Sequence, residues 1–126
     1  MFQRVINSLN GLELYKNQKK FIDGVYELLG KELDIANHIK LEKQLVELEK
    51  KAGIVGKLLA AAKAQQDVAI GEAWKTKPNG HGSAQRNKAE VDEETYNYTF
   101  LRNMLEYLVD NINARLSLGK KLLEAT

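Results

Sequence analysis

Three stretches of this chain carry apolar residues at helical spacing, and glycine, asparagine and proline separate them. In LYKNQKKFIDGVYELLGK, Phe21, Ile22, Val25, Leu28 and Leu29 predict a helix of about four turns between Asn10-Gly11 and Gly30, weakened by Gly24. From about Asp34 to Trp74, Leu41, Leu45, Leu48, Ala52, Val55, Leu59, Ala62, Gln66, Ala69 and Ala73 step by four and three without a slip. A repeat near 3.5 residues held this long marks a coiled-coil seam. Ile39, Val46, Ile54 and Leu58 add a flanking strip, so this helix is expected to bury against more than one neighbour.

The third pattern runs from Tyr96 onward and carries two apolar stripes. Tyr96, Phe100, Met104, Tyr107, Ala114, Leu118 and Leu122 form one, and Leu101, Leu105, Leu108, Ile112, Leu116 and Leu123 form the other. Arg102, Glu106, Asp110, Asn113, Ser117 and Lys121 fill the remaining face. Asp92, Glu93 and Glu94 put negative charge where an exposed helix N-terminus favours it, with Asp92 and Thr95 placed to share the capping.

The stretch AWKTKPNGHGSAQRNKAEVDEE between the long patterns holds the only proline and two of the nine glycines. Pro78, Asn79, Gly80 and Gly82 suit a chain reversal. The expected organisation is therefore an N-terminal helical segment, 1–33, and a long antiparallel helical hairpin, 34–126, with its loop at about 76–90. Thr76 to Asn87 is expected to be mobile without ligand. The fold class is all-α. One hairpin cannot cover every apolar stripe, which predicts assembly into a closed homo-oligomer, a ring among the possibilities.

Composition narrows the chemistry. A chain of 126 residues without cysteine excludes disulfides, thiolate zinc sites and thiol catalysis. No run of 18 apolar residues is present, which reads as a soluble, cytoplasmic protein with no membrane partner. The two histidines, His38 and His81, have no ligand partner at metal spacing, and GHGS lacks both the preceding strand and the Gly-Lys-Ser/Thr ending of a phosphate loop. The acids form Glu-Lys pairs on helix surfaces, such as Glu42 and Glu47 with Lys43 and Lys51, so no acid-base pair or nucleophile is assembled. The expectation is a non-enzymatic protein without cofactor or metal.

A net charge of +2 makes the distribution of charge decisive. Residues 50–66 hold Lys50, Lys51, Lys57 and Lys63 without an acid, and the connecting stretch adds Lys75, Lys77, Arg86 and Lys88. If the chain reverses near residue 82, Arg102 lies across from Lys63. Lys57, Lys63, Lys75, Lys77, Arg86, Lys88 and Arg102 are thus the candidate nucleic-acid contacts, suited to neutralising phosphates without reading bases. Trp74, Tyr96 and Tyr98 are the candidate stacking platforms. The competing reading is that these charges only solvate helix faces and a loop.

AAKAQQDVAIG, residues 61–71, and DNINARLSLGKK, residues 110–121, resemble the recombination mediators of T4-like phages. Lys63, Asp67 and Gly71 match one motif of that family, and Asp110, Ile112, Arg115 and Lys120 match another. Gln65 stands where the family has a second basic residue, and Val68-Ala69 where it has aromatics. The resemblance implies a small helical, ring-forming protein of the host cytoplasm. Such a protein binds single-stranded DNA, has a recombinase and a single-strand-binding protein as partners, and contacts DNA through Lys63. The rival expectation is a structural or protein-interaction module, such as a virion assembly or adaptor protein, whose apolar stripes bind other helices.

Overall fold

A computed structural model of the chain describes residues 7–78 and 84–125, and every regular element among them is helical. Residues 7–10 are helical, followed by α1 (Glu13–Gly30), α2 (His38–Lys75), α3 (Ala84–Glu94) and α4 (Tyr96–Glu124). The all-α class is thereby shown. Two compact units share these helices: 1–17 with 60–104, termed here the first unit, and 18–59 with 105–126, the second.

In the second unit, α2 begins later than its periodicity suggests because Asn37 caps it, its Oδ1 accepting from the Lys40 N–H at 3.1 Å. The preceding connection is held from α2 and α4. Gln44 accepts from the Asp34 N–H at 2.8 Å and donates to the Glu32 carbonyl at 3.0 Å, while Arg115 donates to the Lys31 carbonyl. The core is aliphatic: Ile22, Val25, Leu41, Leu45, Leu48, Val55, Leu105, Leu108, Ile112 and Leu116 are all buried. Gly119 lets α4 come close to α2. A Cβ there would lie 2.2 Å from Leu45 Cδ2.

The first unit has a smaller and more polar interior. Leu9, Leu12, Tyr15, Ala62, Val91 and Leu101 are buried, and so are Gln66, Asn87 and Thr95. Gln66 meets Thr99 and Arg102, while Lys77, later on the chain, meets Glu94 and Glu90. Ascending positions on one side thus pair with descending positions on the other, so the strands of this helical pair run antiparallel.

Two expectations are corrected here. The segment expected as a loop to about residue 90, mobile as far as Asn87, is helical from Ala84, because Asn87 and Val91, one turn apart, both find buried sites. The Asn87 amide also donates to the Pro78 carbonyl at 2.9 Å. The expected helix start at Asp92 is likewise absent. The Thr95 N–H bonds the Val91 carbonyl at 3.0 Å and the Thr99 N–H bonds the Thr95 carbonyl at 3.2 Å, so helical bonding passes through Thr95. Its hydroxyl donates back to the Val91 carbonyl at 2.8 Å instead of capping. Asn79, Gly80, His81 and Gly82 lie outside the described residues.

The two stripes of α4 part company. Leu101, Leu105, Leu108, Ile112 and Leu116 are buried, whereas Tyr96, Phe100, Tyr107 and Leu118 are exposed. In the flanking strip of α2, Ile39, Val46 and Ile54 are exposed and Leu58 is half-buried.

Candidate nucleic-acid interface

Lys63 is exposed on α2 within the first unit, one turn before the buried Gln66. A glutamine at a seam position must satisfy both ends of its amide. Its Oε1 accepts from Arg102 Nη1 at 2.8 Å, and its Nε2 donates to Thr99 Oγ1 at 2.9 Å. Thr99 in turn donates to the Thr95 carbonyl at 3.4 Å. This chain of bonds fixes the guanidinium against Gln66, one turn along α2 from Lys63. The two cations together are suited to a phosphodiester, which a guanidinium can bind through two parallel bonds.

The basic residues of the connection are arranged differently from the expectation that they stand ready for a ligand. The Lys77 ammonium is enclosed, its side chain 8% exposed, between Glu94 and Glu90, the latter at 3.5 Å. The hydrogen bond it donates to Glu94 is the main reason its pKa lies above the ordinary 10.5; burial opposes this, and Glu90 adds to it. Arg86 shares Glu90 at 3.7 Å yet remains open to solvent. Lys75 and Lys88 are exposed in the same unit, while Lys57 is exposed in the second unit. The candidate set therefore separates into Lys63 and the Gln66-held Arg102 on one side, a Lys77–Arg86–Glu90–Glu94 ion-pair group, and the exposed Lys57, Lys75 and Lys88.

Among the proposed stacking residues, Trp74 and Tyr96 are exposed, and Tyr98 is half-buried. Phe100, not foreseen in this role, stands beside Tyr96 with ring centroids 6.2 Å apart and planes tilted by 48°. Their spacing of four residues on one helix is the signal that would have found the pair. Gln66 was also missed as a positioning residue. Its polarity within an otherwise apolar seam was the available clue.

His38 lies on the exposed first turn of α2, 3.2 Å from Glu42. Among the described residues no three histidine or carboxylate side chains cluster as a metal site would require. No described helix is long and apolar enough to cross a membrane. Compared with known protein families, curated proteins and solved structures, the chain matches none.

Proposed function

We propose that this chain is a non-catalytic, sequence-independent single-stranded DNA-binding protein. It acts as a recombination mediator in the cytoplasm, holding a strand in a form that a recombinase takes over from a single-strand-binding protein. The observation that carries the reading is Arg102 held by Gln66 one turn along α2 from the exposed Lys63, the position where the resemblance to phage mediators implies DNA contact. Exposed Lys75, Lys88 and Arg86 extend positive charge over the same unit, and Trp74 and the Tyr96–Phe100 pair offer sequence-tolerant stacking. Lys77 belongs to the ion-pair group and is not assigned a strand contact.

Electrophoretic shift of labelled oligonucleotides over a salt series tests the proposal. Affinity should be indifferent to base sequence and fall with salt, with a log-log slope of about −0.7 per phosphate neutralised. Lys63→Ala should make that slope shallower with helix content unchanged. Binding identical to the parent at every salt concentration overturns the role of Lys63, and no binding at low salt overturns the function.

The second reading, a helical protein-interaction module, is favoured by the exposed apolar residues Ile35, Tyr107 and Leu118. It predicts no salt-sensitive DNA retention by the parent or by Lys63→Ala.

A further inference from the structure

The interface above leaves Lys77 unused, although the end of α2 fixes where it stands. The Lys77 N–H bonds the Trp74 carbonyl at 3.1 Å, the Thr76 N–H bonds the Ala73 carbonyl at 3.3 Å, and the Thr76 hydroxyl donates to that same carbonyl at 2.9 Å. The backbone of Lys77 is thus set one turn from the exposed Trp74. A cation held close to an exposed aromatic ring is the combination that a single strand uses, phosphate on the one and base on the other.

What occupies the ammonium instead is α3. Lysine is rarely enclosed unless it is paired, and Lys77 is enclosed by Glu94 and Glu90. The two acids stand four residues apart on one face of α3, and their side chains are 50% and 48% exposed, so each carboxylate stays open to exchange with dissolved ions. Glu90 also reaches Arg86. The helix that carries them is weakly fastened. Its first turn holds Arg86 and no acid, the reverse of what a helix N-terminus favours, and its buried residues are Asn87 and Val91. A helix with so few buried apolar side chains lies at the low end of local stability.

We propose that Glu90 and Glu94 are internal competitors of phosphate: at rest they occupy Lys77 and Arg86, and a strand bound to the first unit displaces them and takes over both cations. This regulation rests on the single-strand-binding reading above. The exchange puts one anionic oxygen in place of another on the same N–H donors, and no covalent bond or proton changes hands. Opening pairs whose acids are half exposed costs the strand little. The cost nevertheless discriminates between ligands. A free phosphate or mononucleotide must open the clasp unaided, whereas a strand already held at Lys63 and Arg102 presents its following phosphates at high effective concentration. Lys63 and Lys77 stand about 20 Å apart along the helix at 1.5 Å rise per residue, so only a polymer of several nucleotides reaches from one to the other. The two carboxylates therefore keep Lys77 from small anions and yield it to a strand.

The test compares the parent with two charge-matched variants in binding to labelled oligothymidylate over a salt series. Glu90→Gln with Glu94→Gln opens the clasp, since amide oxygens still accept from Lys77 but carry no charge. Asp92→Asn with Glu93→Gln is the control, removing two charges from exposed positions of the same helix. Circular dichroism verifies that each variant folds. At about 0.1 M salt, where exposed charges are screened beyond about 10 Å, the clasp variant should bind about fivefold more tightly than the parent and the control less than about twofold. The log-log salt slope of the clasp variant should be steeper by up to about 1.4, two phosphates at about 0.7 each. Adding Lys77→Met to the clasp variant should remove a large part of the gain. No gain over the parent, an equal gain in the control, or a gain that survives Lys77→Met in full overturns the competition and leaves strand binding standing. No binding by parent, clasp variant or control at low salt overturns strand binding itself, and the competition with it.

Discussion

The two units solve the problem of specifying a helical core in different ways. In the second, the buried side chains are aliphatic, with leucines from α2 and α4 facing one another and Gly119 admitting the Leu45 side chain. In the first, all three of the buried polar residues, Gln66, Asn87 and Thr95, are engaged by hydrogen bonds, and the apolar members include the small Ala62. Burial of large apolar area stabilises without direction, whereas hydrogen bonds add less net free energy but set orientation. The unit with the directional interior also holds six of the seven candidate DNA contacts, all but Lys57. Orientation is what a phosphate-binding pair requires, and the polar core supplies it at the expense of packing energy.

Deleting a central side chain from each core gives the largest expected contrast. Leu108, with no exposed surface, should lose about 2–5 kcal/mol on replacement by Ala. Gln66→Leu should cost only about 1–2 kcal/mol, through the lost bonds to Arg102 and Thr99. Urea melts followed by circular dichroism measure both, and equal losses would remove the contrast. A sharper form stays inside the second unit. Alanine is the better helix former, yet Gly119→Ala should destabilise by about 1–3 kcal/mol because its methyl group meets Leu45. Gly24→Ala, with open space around it, should stabilise by about 0.5–1 kcal/mol.

The smallest effect belongs to the ion-pair group of the first unit. A lysine whose folded pKa is raised contributes its full stabilisation below the unfolded value, near 10.5, and loses it as pH climbs through the higher folded value. Lys77→Met should therefore lower the melting temperature slightly at neutral pH. The gap to the parent should close above pH 10.5, and a gap independent of pH would show that Lys77 acts through packing alone.

The seam of α2 was legible because a strict repeat ties position to burial: Leu41, Leu45, Leu48, Val55 and Ala62 are all buried. For α4 the pattern showed two stripes of similar apolar content, and only the fold separates the buried aliphatic row from the exposed row with its aromatics. Helix α3 escaped notice because AQRNKAEVDEE has one large apolar residue, Val91, and periodicity needs more. Its fixation by Pro78, and the capture of Lys77 by Glu90 and Glu94, depend on residues that meet only after the chain reverses. The same holds for the site. Arg102 reaches α2 at Gln66, one turn from Lys63, and the bond that orients it is a tertiary contact at a position the repeat assigned to packing.

The discontinuity of the units bears on how the protein is made. All parts of the first unit have been synthesised once residue 104 has been added, whereas the second still lacks everything from Leu105 onward. Until then Leu41, Leu45 and Leu48 have no cover from α4, and the side chain that fits against Gly119 has nothing to fit against. Domains generally fold as they emerge, N-terminal first. Here the aliphatic core closes only once α4 is available, and until then the chain carries a bare leucine row, the kind of surface that chaperones bind.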